Sequence, residues 1–353
     1  MKNFKLILKS LINNDACIEG GRTKRWFFAV IFVVLSVILA TLPIMVNALK
    51  VNGSDFTDNN YVYNYDNAIV AFSDHLQDNN LSMSVNEIEN ERYLNVDQER
   101  WNSVHSGEDN IFNQYVHLNN DGDIDFEVYF TNTVGDEYAT YVDHVQKNES
   151  PINGLPRDPD ASPRTISFLL FGRKQMIGAF YQPDNSTAVT TISGDYLTLP
   201  LGFNFKSLAT AVVDNVTYVT SHDAKFSEVG GAVTLEKYRD QVFYAWDDAY
   251  DDLHYVTKMS TARNLTLIFL GVDVGLIAFM GLMIFILTRG KKNPFRIYTF
   301  WETQKISYWA SFAPSVLAMI GGFIFAQYAP MMFIMLIGIR IMWMSMKSLK
   351  PAM

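Results

Sequence analysis

A run of twenty residues without a charge, Trp26 to Met45, most constrains what this chain can form. A helix needs about 20 apolar residues to cross the hydrocarbon core of a bilayer, which is about 30 Å thick. The run is longer than the apolar stretch of about 7 to 15 residues in a signal peptide, and no small-residue cleavage motif follows it closely. It therefore predicts a helix that spans the membrane in the mature protein.

Three further apolar runs predict spans at Leu265 to Leu287, Ile306 to Ala326 and Met331 to Met346. The sequence thus predicts an α-helical membrane bundle of four spans with an inserted extracytoplasmic α+β domain. The predicted segments are a cytosolic amphipathic segment at 1–25, spans at 26–46, 263–288, 306–326 and 331–346, an extracytoplasmic domain at 47–262, a cytosolic basic loop at 289–305 and a cytosolic tail at 347–353.

The orientation is predicted from the positive charges, because lysine and arginine in short loops resist translocation. They cluster before the first span, between the second and third spans, and after the fourth. Residues 51–262 instead carry 33 acidic and 12 basic side chains, a net charge of −21 in a chain whose total is −9. The prediction is a multi-pass protein of the cell membrane with both termini cytoplasmic and residues 47–262 outside. The only cysteine, Cys17, falls on the inner side, so the outer domain has no disulfide.

Within the outer domain, several segments have recognisable periodicity. Asp66 to Leu76 predicts a helix, and Asp123 to Phe130 alternates apolar and polar residues as a half-buried strand does. Thr165 to Phe171 and Gln175 to Tyr181 predict a hairpin, and further strand-like runs are Ala188 to Ile192, Tyr196 to Leu199 and Val216 to Thr220. Apolar residues at spacings of three or four predict a stem helix at about 233–262, running with little interruption into the second span.

The N-terminal segment has an amphipathic pattern over residues 2–13, with Phe4, Ile7, Leu8 and Leu11 on one face and lysines on the other. This pattern is typical of a helix that lies in the inner surface of the membrane, although an ordinary positive flank to the first span would look the same. The following segment, Asn14 to Gly21, contains two glycines and predicts a break in the helix.

Asp273 and Arg340 are the two charged residues inside the apolar runs, each about nine positions from the outer end of its span. Because a helix rises about 1.5 Å per residue, both should lie at similar depth near the midplane. An isolated charge there costs about 2.5 to 3.5 kcal/mol on insertion scales, so we expect the two to pair. The favoured interpretation is an ion pair that fixes the packing of the second and fourth spans. The alternatives are a proton relay or ligand-binding charge in the bundle, and Arg340 snorkelling inward.

Gly271 and Gly275 form a GxxxG spacing in the second span. Small residues let helices approach closely, which drives association where burial from water is absent. The spacing predicts helix packing within the bundle, with homodimerisation as the alternative.

Several functions are excluded by missing patterns. The six histidines lack metal-binding spacing, no nucleotide-binding motif occurs, and no nucleophile motif accompanies Ser221-His222-Asp223, so we predict no metal, no cofactor and no enzymatic activity. The acidic outer domain should repel nucleic acid. Its tyrosines, with Trp101 and Trp246, would suit stacking on a carbohydrate, although aromatic residues are more often core.

Four short stretches carry a resemblance to a known family: Leu8 to Leu11, Lys24-Arg25-Trp26, Leu42-Pro43, and Tyr298 to Pro314. In these membrane segments the chain resembles multi-pass membrane proteins of low-GC bacteria that are named for maltodextrin, or maltodextrose, utilisation and that form a domain family of unknown function. The resemblance implies an integral membrane protein connected with sugar use, and it implies no catalytic residues.

Two functional hypotheses follow. In the first, a non-enzymatic membrane protein binds a carbohydrate, a wall component or another protein through its outer domain and senses or assists sugar use. In the second, the chain is an accessory subunit of a transporter or of an envelope assembly complex and docks on a membrane protein or on a second copy. A membrane-embedded carrier or enzyme that uses Asp273 and Arg340 is a third alternative.

Overall fold

A computed structural model describes residues 2–57, 64–104, 113–146, 166–181, 190–227, 231–290, 293–325 and 328–349. The chain divides into two compact units. The helical unit consists of Met1–Lys50 and Met259–Met353, and the sheet unit of Val51–Lys258. Four of the described helices are long and apolar enough to cross a membrane, and a separate region contains a sheet. The predicted combination of a helical membrane bundle with an α+β domain is confirmed at this level.

The helical unit contains α1 (Lys2–Ile12), α2 (Asn14–Thr23), α3 (Trp26–Lys50), the second part of α8 (Gly231–Leu287), α9 (Phe300–Ile324) and α10 (Ala329–Lys347). The start of α9 is fixed by a capping box, in which Thr299 Oγ1 accepts from the backbone N–H of Glu302 and the Glu302 carboxylate accepts from that of Thr299. This box explains why α9 begins six residues before the apolar run that predicted it.

The prediction that Asn14 to Gly21 breaks the helix is wrong, because this segment forms α2. The Asn13 side chain accepts a hydrogen bond from the backbone N–H of Asp15 and so caps the helix start. Gly20 and Gly21 lie directly against Trp309 and Ile306 of α9, where a side chain would not fit. The two glycines therefore serve close packing between helices, which outweighs their low helix propensity.

The apolar face predicted for α1 is buried only in part: Ile7 packs against the core of the helical unit, and the location at the membrane surface stays a prediction. Leu6 and Ser10 are buried in the helical unit, whereas Leu8, placed on the predicted apolar face, is half exposed. The buried Cys17 and Ile18 of α2 belong to the same core as Phe32 of α3 and Trp309 of α9. The first two helices are thus packed into the bundle.

The sheet unit is built on five strands in the order β3 (Asn113–Leu118), β4 (Ile124–Phe130), β5 (Ser167–Phe171), β6 (Gln175–Phe180) and β7 (Thr190–Asp195). β4 and β5 run parallel and the other pairs antiparallel. Two small hairpins, β1 (Met83–Ile88) with β2 (Glu91–Val96) and β8 (Ala211–Val213) with β9 (Val216–Tyr218), complete the strands. Both turns place two consecutive residues at positive φ, as two-residue hairpin turns require: Glu89-Asn90 and Asp214-Asn215.

Both faces of the sheet are covered by helices. β5 is buried along its whole length, and its alternate residues point to opposite faces. Phe168 and Leu170 join a core with α6 (Asp136–Gln146), while Leu169 and Phe171 join a larger core with α4 (Tyr65–Asp78) and the first part of α8. The unit also contains two short helices, α5 (Gln98–Val104) and α7 (Ser221–Lys225).

Tyr196 to Leu199, predicted as a strand, is irregular. The Tyr196 ring is buried and its hydroxyl donates to the backbone oxygen of Gly172 at 2.8 Å. The apolar residues of this segment therefore fill the core as single side chains rather than as one face of a strand.

The stability of the sheet unit should depend on pH through the carboxyl group of Asp247, which lies on α8. Burial, reinforced by the negative charges of Asp251, Asp248 and Asp66, raises the pKa of Asp247 from 3.8 to about 6, although Thr57 donates a hydrogen bond to it. Because the folded state binds this proton more tightly than the unfolded chain does, the stabilising contribution is full below pH 3.8 and is lost as pH rises through about 6.

In Asp247→Asn, we expect the thermal unfolding temperature of the sheet unit to vary less between acidic and neutral pH than it does in the wild type. The control Asp240→Asn, exposed on the same helix, should keep the wild-type profile, and an unchanged profile in Asp247→Asn would contradict the assignment.

Candidate functional site

The two glycines predicted to pack within the bundle do not do so. Side chains built at Gly271 and Gly275 would meet none of the described atoms of other segments within 4 Å, so this face of α8 is open. In the second part of α8, Gly281 is the glycine that packs, and it lies against the Gln304 side chain of α9. The GxxxG spacing therefore marked the wrong face for contact inside the bundle, and homodimerisation through it stays an untested alternative.

Asp273 and Arg340 do not form an ion pair. Arg340 instead bonds to groups on α1, α2 and α9, and α8 contacts α9 through Ile277 and Ala278 on the face that also carries Asp273. Equal depth in the membrane fixes the position of each residue along its helix only. The direction in which each side chain points is set by helix packing, and depth could not predict it.

Arg340 holds the N-terminal hairpin, defined here as α1 and α2, against the bundle. Its Nη1 donates to the backbone oxygen of Ala310 at 3.1 Å, and its Nη2 donates to the Cys17 sulfur at 3.2 Å and to the backbone oxygen of Ser10. Its Nε donates to the Asn14 side chain at 3.4 Å. The guanidinium thus connects three segments that are distant in sequence.

Two of the acceptors around Arg340 are backbone oxygens that lack a helical hydrogen bond. Pro314 of α9 has no N–H, so the oxygen of Ala310, four residues earlier, lacks its helical hydrogen bond. Ser10 lies in the last turn of α1, where carbonyl oxygens have no helical partner and the helix dipole favours a positive charge. These two oxygens explain how a partly buried arginine is tolerated without an acidic partner.

Cys17 is fully buried beside this arginine. Burial raises the pKa of the Cys17 thiol to about 11, while the Arg340 charge acts in the opposite direction. Because the thiolate is the reactive form, Cys17 should be inert in the folded protein. It is a structural residue of the helical unit.

Asp273 is a buried residue of α8 in the helical unit. It is 4% exposed, and no described residue donates a hydrogen bond to its carboxyl group or forms an ion pair with it. On the same face of α8, Ile277 and Ala278 accept through their backbone oxygens from Ser307 at 2.7 Å and from Gln304 at 3.0 Å. Gln304 and Ser307 start a line of buried polar residues on α9 that continues with Ser311 and Ser315, named here the polar seam.

The sheet unit has a cleft of about 340 Å³ between α4, the β3–β4 turn and α8. We call it the amide cleft because four asparagines line it: Asn64, Asn67, Asn119 and Asn120. Asp74, His117, Ser221 and Arg239 are also in its wall. The volume lies within the range of small-molecule sites, about 300 to 1,000 Å³, but the wall of this cleft is more polar than the wall of most such sites.

The polar groups of the amide cleft are held in place by hydrogen bonds. Asp74 accepts from the backbone N–H of Ser221 at 2.8 Å and from the Tyr238 hydroxyl at 3.1 Å. Burial raises the pKa of Asp74, and these bonds act against it. His117 Nδ1 lies 2.6 Å from a carboxylate oxygen of Asp125, whose other oxygen accepts from the Asn64 amide.

A second depression of about 490 Å³ adjoins the amide cleft and shares Asn67 and Arg239 with it. Its wall includes Phe243 and Tyr244, and the Tyr244 ring is 65% exposed. An exposed aromatic ring next to amide groups offers a stacking surface beside hydrogen-bond donors and acceptors.

The sequence did not identify this cleft. Asn119 and Asn120 precede the strand predicted at Asp123 to Phe130, and Asn64, Asn67 and Arg239 stand in no motif. The Asn64 and Asn67 spacing of three places both near the start of one helix, and that was the only signal available. Trp101 and Trp246, considered for carbohydrate stacking, are fully buried core residues.

Comparison of the chain with protein-family models, with curated proteins and with solved structures finds no match. The resemblance to maltodextrin-utilisation proteins therefore stays a prediction that depends on the membrane segments quoted above.

Proposed function

We propose that this chain is a non-enzymatic, multi-pass membrane protein whose sheet unit lies outside the cytoplasm and binds a hydroxyl-rich ligand, an oligosaccharide, in the amide cleft. The observation that carries the proposal is that four asparagines line one cleft, which adjoins the depression with the exposed Tyr244. An amide offers both donors and acceptors, as sugar hydroxyls require, and an aromatic ring can stack on the apolar face of a sugar.

The charge distribution supports the outside location. The sheet unit contains most of the acidic residues of the chain, and the positive clusters flank the spans on the other side. The resemblance to proteins of maltodextrin use favours an α-glucan, with a wall glycan as the alternative. Arg239 of the cleft lies on α8, which continues to Leu287. The helix that would contact the ligand is therefore also the helix that forms the second predicted span. A sensing role would require two conformations that differ in ligand affinity.

A cysteine placed in the cleft tests location and binding together. In Asn67→Cys, a membrane-impermeant maleimide should label the protein on intact cells, because the proposal locates the sheet unit outside. The native Cys17 is buried and contributes little background labelling. Maltotetraose and longer maltodextrins should slow this labelling at saturating concentration by about tenfold or more, since the bound ligand covers the thiol. The matched control is Asn86→Cys, on an exposed position of β1 away from the cleft, which should label on intact cells and show no protection.

The two parts of the proposal fail separately in this design. If both variants label only after lysis, the sheet unit is not outside. If both label on intact cells and no maltodextrin or muropeptide-derived glycan protects Asn67→Cys, the ligand assignment is wrong. The accessory-subunit hypothesis would then be the better one, and stoichiometric copurification with a permease in mild detergent would support it.

A further inference from the structure

Asp273 is a buried acidic residue of the helical unit whose charge no described contact balances. Its side chain is more than nine-tenths buried, and the described residues provide it with neither a hydrogen bond nor an ion pair. Membrane-spanning helices rarely keep such a residue without a role, since an unpaired charge is costly there. An ionised Asp273 would need a nearby positive charge to neutralise its carboxylate.

The charged groups on the neighbouring helices are engaged elsewhere. On α9, Glu302 belongs to the capping box with Thr299, and the Lys305 ammonium donates to the backbone oxygen of Lys24. On α10, the Arg340 guanidinium is occupied by the N-terminal hairpin, and Lys347 lies over the Trp343 ring near the helix end. The one charged residue of α3 is Lys50, its last residue, and Tyr308 of α9 lies against Trp26. A protein cation for Asp273 is therefore missing from these described residues.

Hydroxyl groups lie at the level of Asp273. Asp273 precedes Ile277 by one helical turn, and Ser311 follows Ser307 by one turn. Because Ser307 bonds to Ile277 and Gln304 to Ala278, the two helices run in opposite directions at this contact, which brings Asp273 to the height of Ser311. Ser311 donates to Ser36 of α3 at 2.9 Å, so hydroxyls of two helices meet there. Gln304 Oε1, further along the polar seam, is buried with no hydrogen-bond partner.

We propose that Asp273 is a proton-binding site in the membrane bundle, and that the polar seam forms its surroundings. In the resting protein the carboxyl group is a neutral acid. When water reaches it, the O–H bond breaks, the electron pair stays on the carboxylate and the proton passes to water; the reverse step restores the acid. A proton requires no set of ligands, whereas a metal cation needs several oxygen atoms arranged around it. This inference is independent of the amide cleft.

Infrared spectroscopy of the full-length protein in lipid bilayers tests the proposal directly. A protonated carboxyl group in apolar surroundings has a carbonyl stretch above the amide I band, and this stretch shifts in D₂O. The wild-type spectrum at neutral pH should contain such a band that is missing from Asp273→Asn. Above its titration midpoint, the band should weaken by about tenfold per pH unit, in proportion to the acid form.

Further variants and salts keep the result interpretable. Asp273→Glu should retain a band at a shifted frequency, and this comparison replaces Asp273→Asn if the asparagine variant fails to fold. Folding of each variant is checked by confirming that the buried Cys17 thiol does not react with a maleimide. A spectrum without the band at neutral and mildly acidic pH would overturn the proposal, because the carboxylate would then be ionised. Loss of the band on exchange of potassium for sodium at constant pH would also overturn it and indicate a sodium site.

Discussion

In Arg340→Met, we expect Cys17 to react with a maleimide in the folded protein about 30-fold faster than in the wild type. The substitution leaves the backbone oxygens of Ser10 and Ala310 buried without their donor. If the hairpin is destabilised by about 2 kcal/mol, within the range for a hydrogen bond to a charged group, its opening becomes about 30-fold more frequent. Loss of the positive charge alone would reduce the thiolate fraction and slow the reaction. A faster reaction therefore reports opening of the N-terminal hairpin.

The measurement is the rate of modification of the single thiol in detergent-solubilised protein, normalised to the rate in the unfolded protein. Arg340→Lys should give an intermediate rate, because lysine keeps the charge but lacks the planar fork that reaches several acceptors. Lys347→Met, an exposed position on the same helix, should match the wild type. Equal rates in Arg340→Met and Lys347→Met would show that Arg340 does not hold the hairpin.

Trp246→Ala should have the largest effect on the sheet unit. Trp246 is fully buried among Phe72, Phe205 and Tyr250, and its ring N–H donates to the Ser73 hydroxyl at 2.8 Å. Truncating a buried tryptophan to alanine costs about 3 to 5 kcal/mol, which corresponds to a decrease in Tm of about 10 °C for a unit of this size. This is a large part of the stability of an ordinary domain.

The loss is best followed by protease sensitivity of the sheet unit at increasing temperature, because the substitution removes a fluorescent residue. Trp246→Phe keeps most of the packing and loses the hydrogen bond to Ser73, so its Tm should lie between those of the wild type and Trp246→Ala. Tyr244→Ala, which removes an exposed ring two residues away, should change stability by less than about 0.5 kcal/mol. A Trp246→Ala protein as resistant as Tyr244→Ala would contradict the assigned core.

The elements that the sequence predicted well are those with a strong local pattern. Apolar length predicted the membrane-spanning helices, and alternation predicted β4 to within a residue of its observed start at Ile124. The hairpin between Phe171 and Gln175 was predicted because its turn residues separate two strand-like runs. The stem and second span form one helix, α8, because the three- to four-residue spacing of apolar residues continues without a helix breaker.

The errors concern contacts between segments that are distant in sequence. Considered locally, Gly20 and Gly21 indicate a break in the helix. In the folded chain they lie against Trp309 and Ile306, where a larger side chain would not fit. The partner of Arg340 was sought among acids, yet Pro314 has no N–H and so leaves the backbone oxygen of Ala310 free to accept from Arg340, which no charge count reveals. The amide cleft depends on three elements meeting, and the polar residues that line it stand in no motif. Helix rotation, packing and shared clefts are properties of the folded chain.

The N-terminal hairpin has a consequence for how the protein is made. Cys17 leaves the ribosome 292 residues before Trp309, and Ser10 leaves it 330 residues before Arg340, although these residues hold each other in the folded chain. Until α9 and α10 are synthesised, the hairpin has no docking partner and its packing surface stays uncovered. Synthesis of α10, rather than that of α3, therefore allows the hairpin to dock.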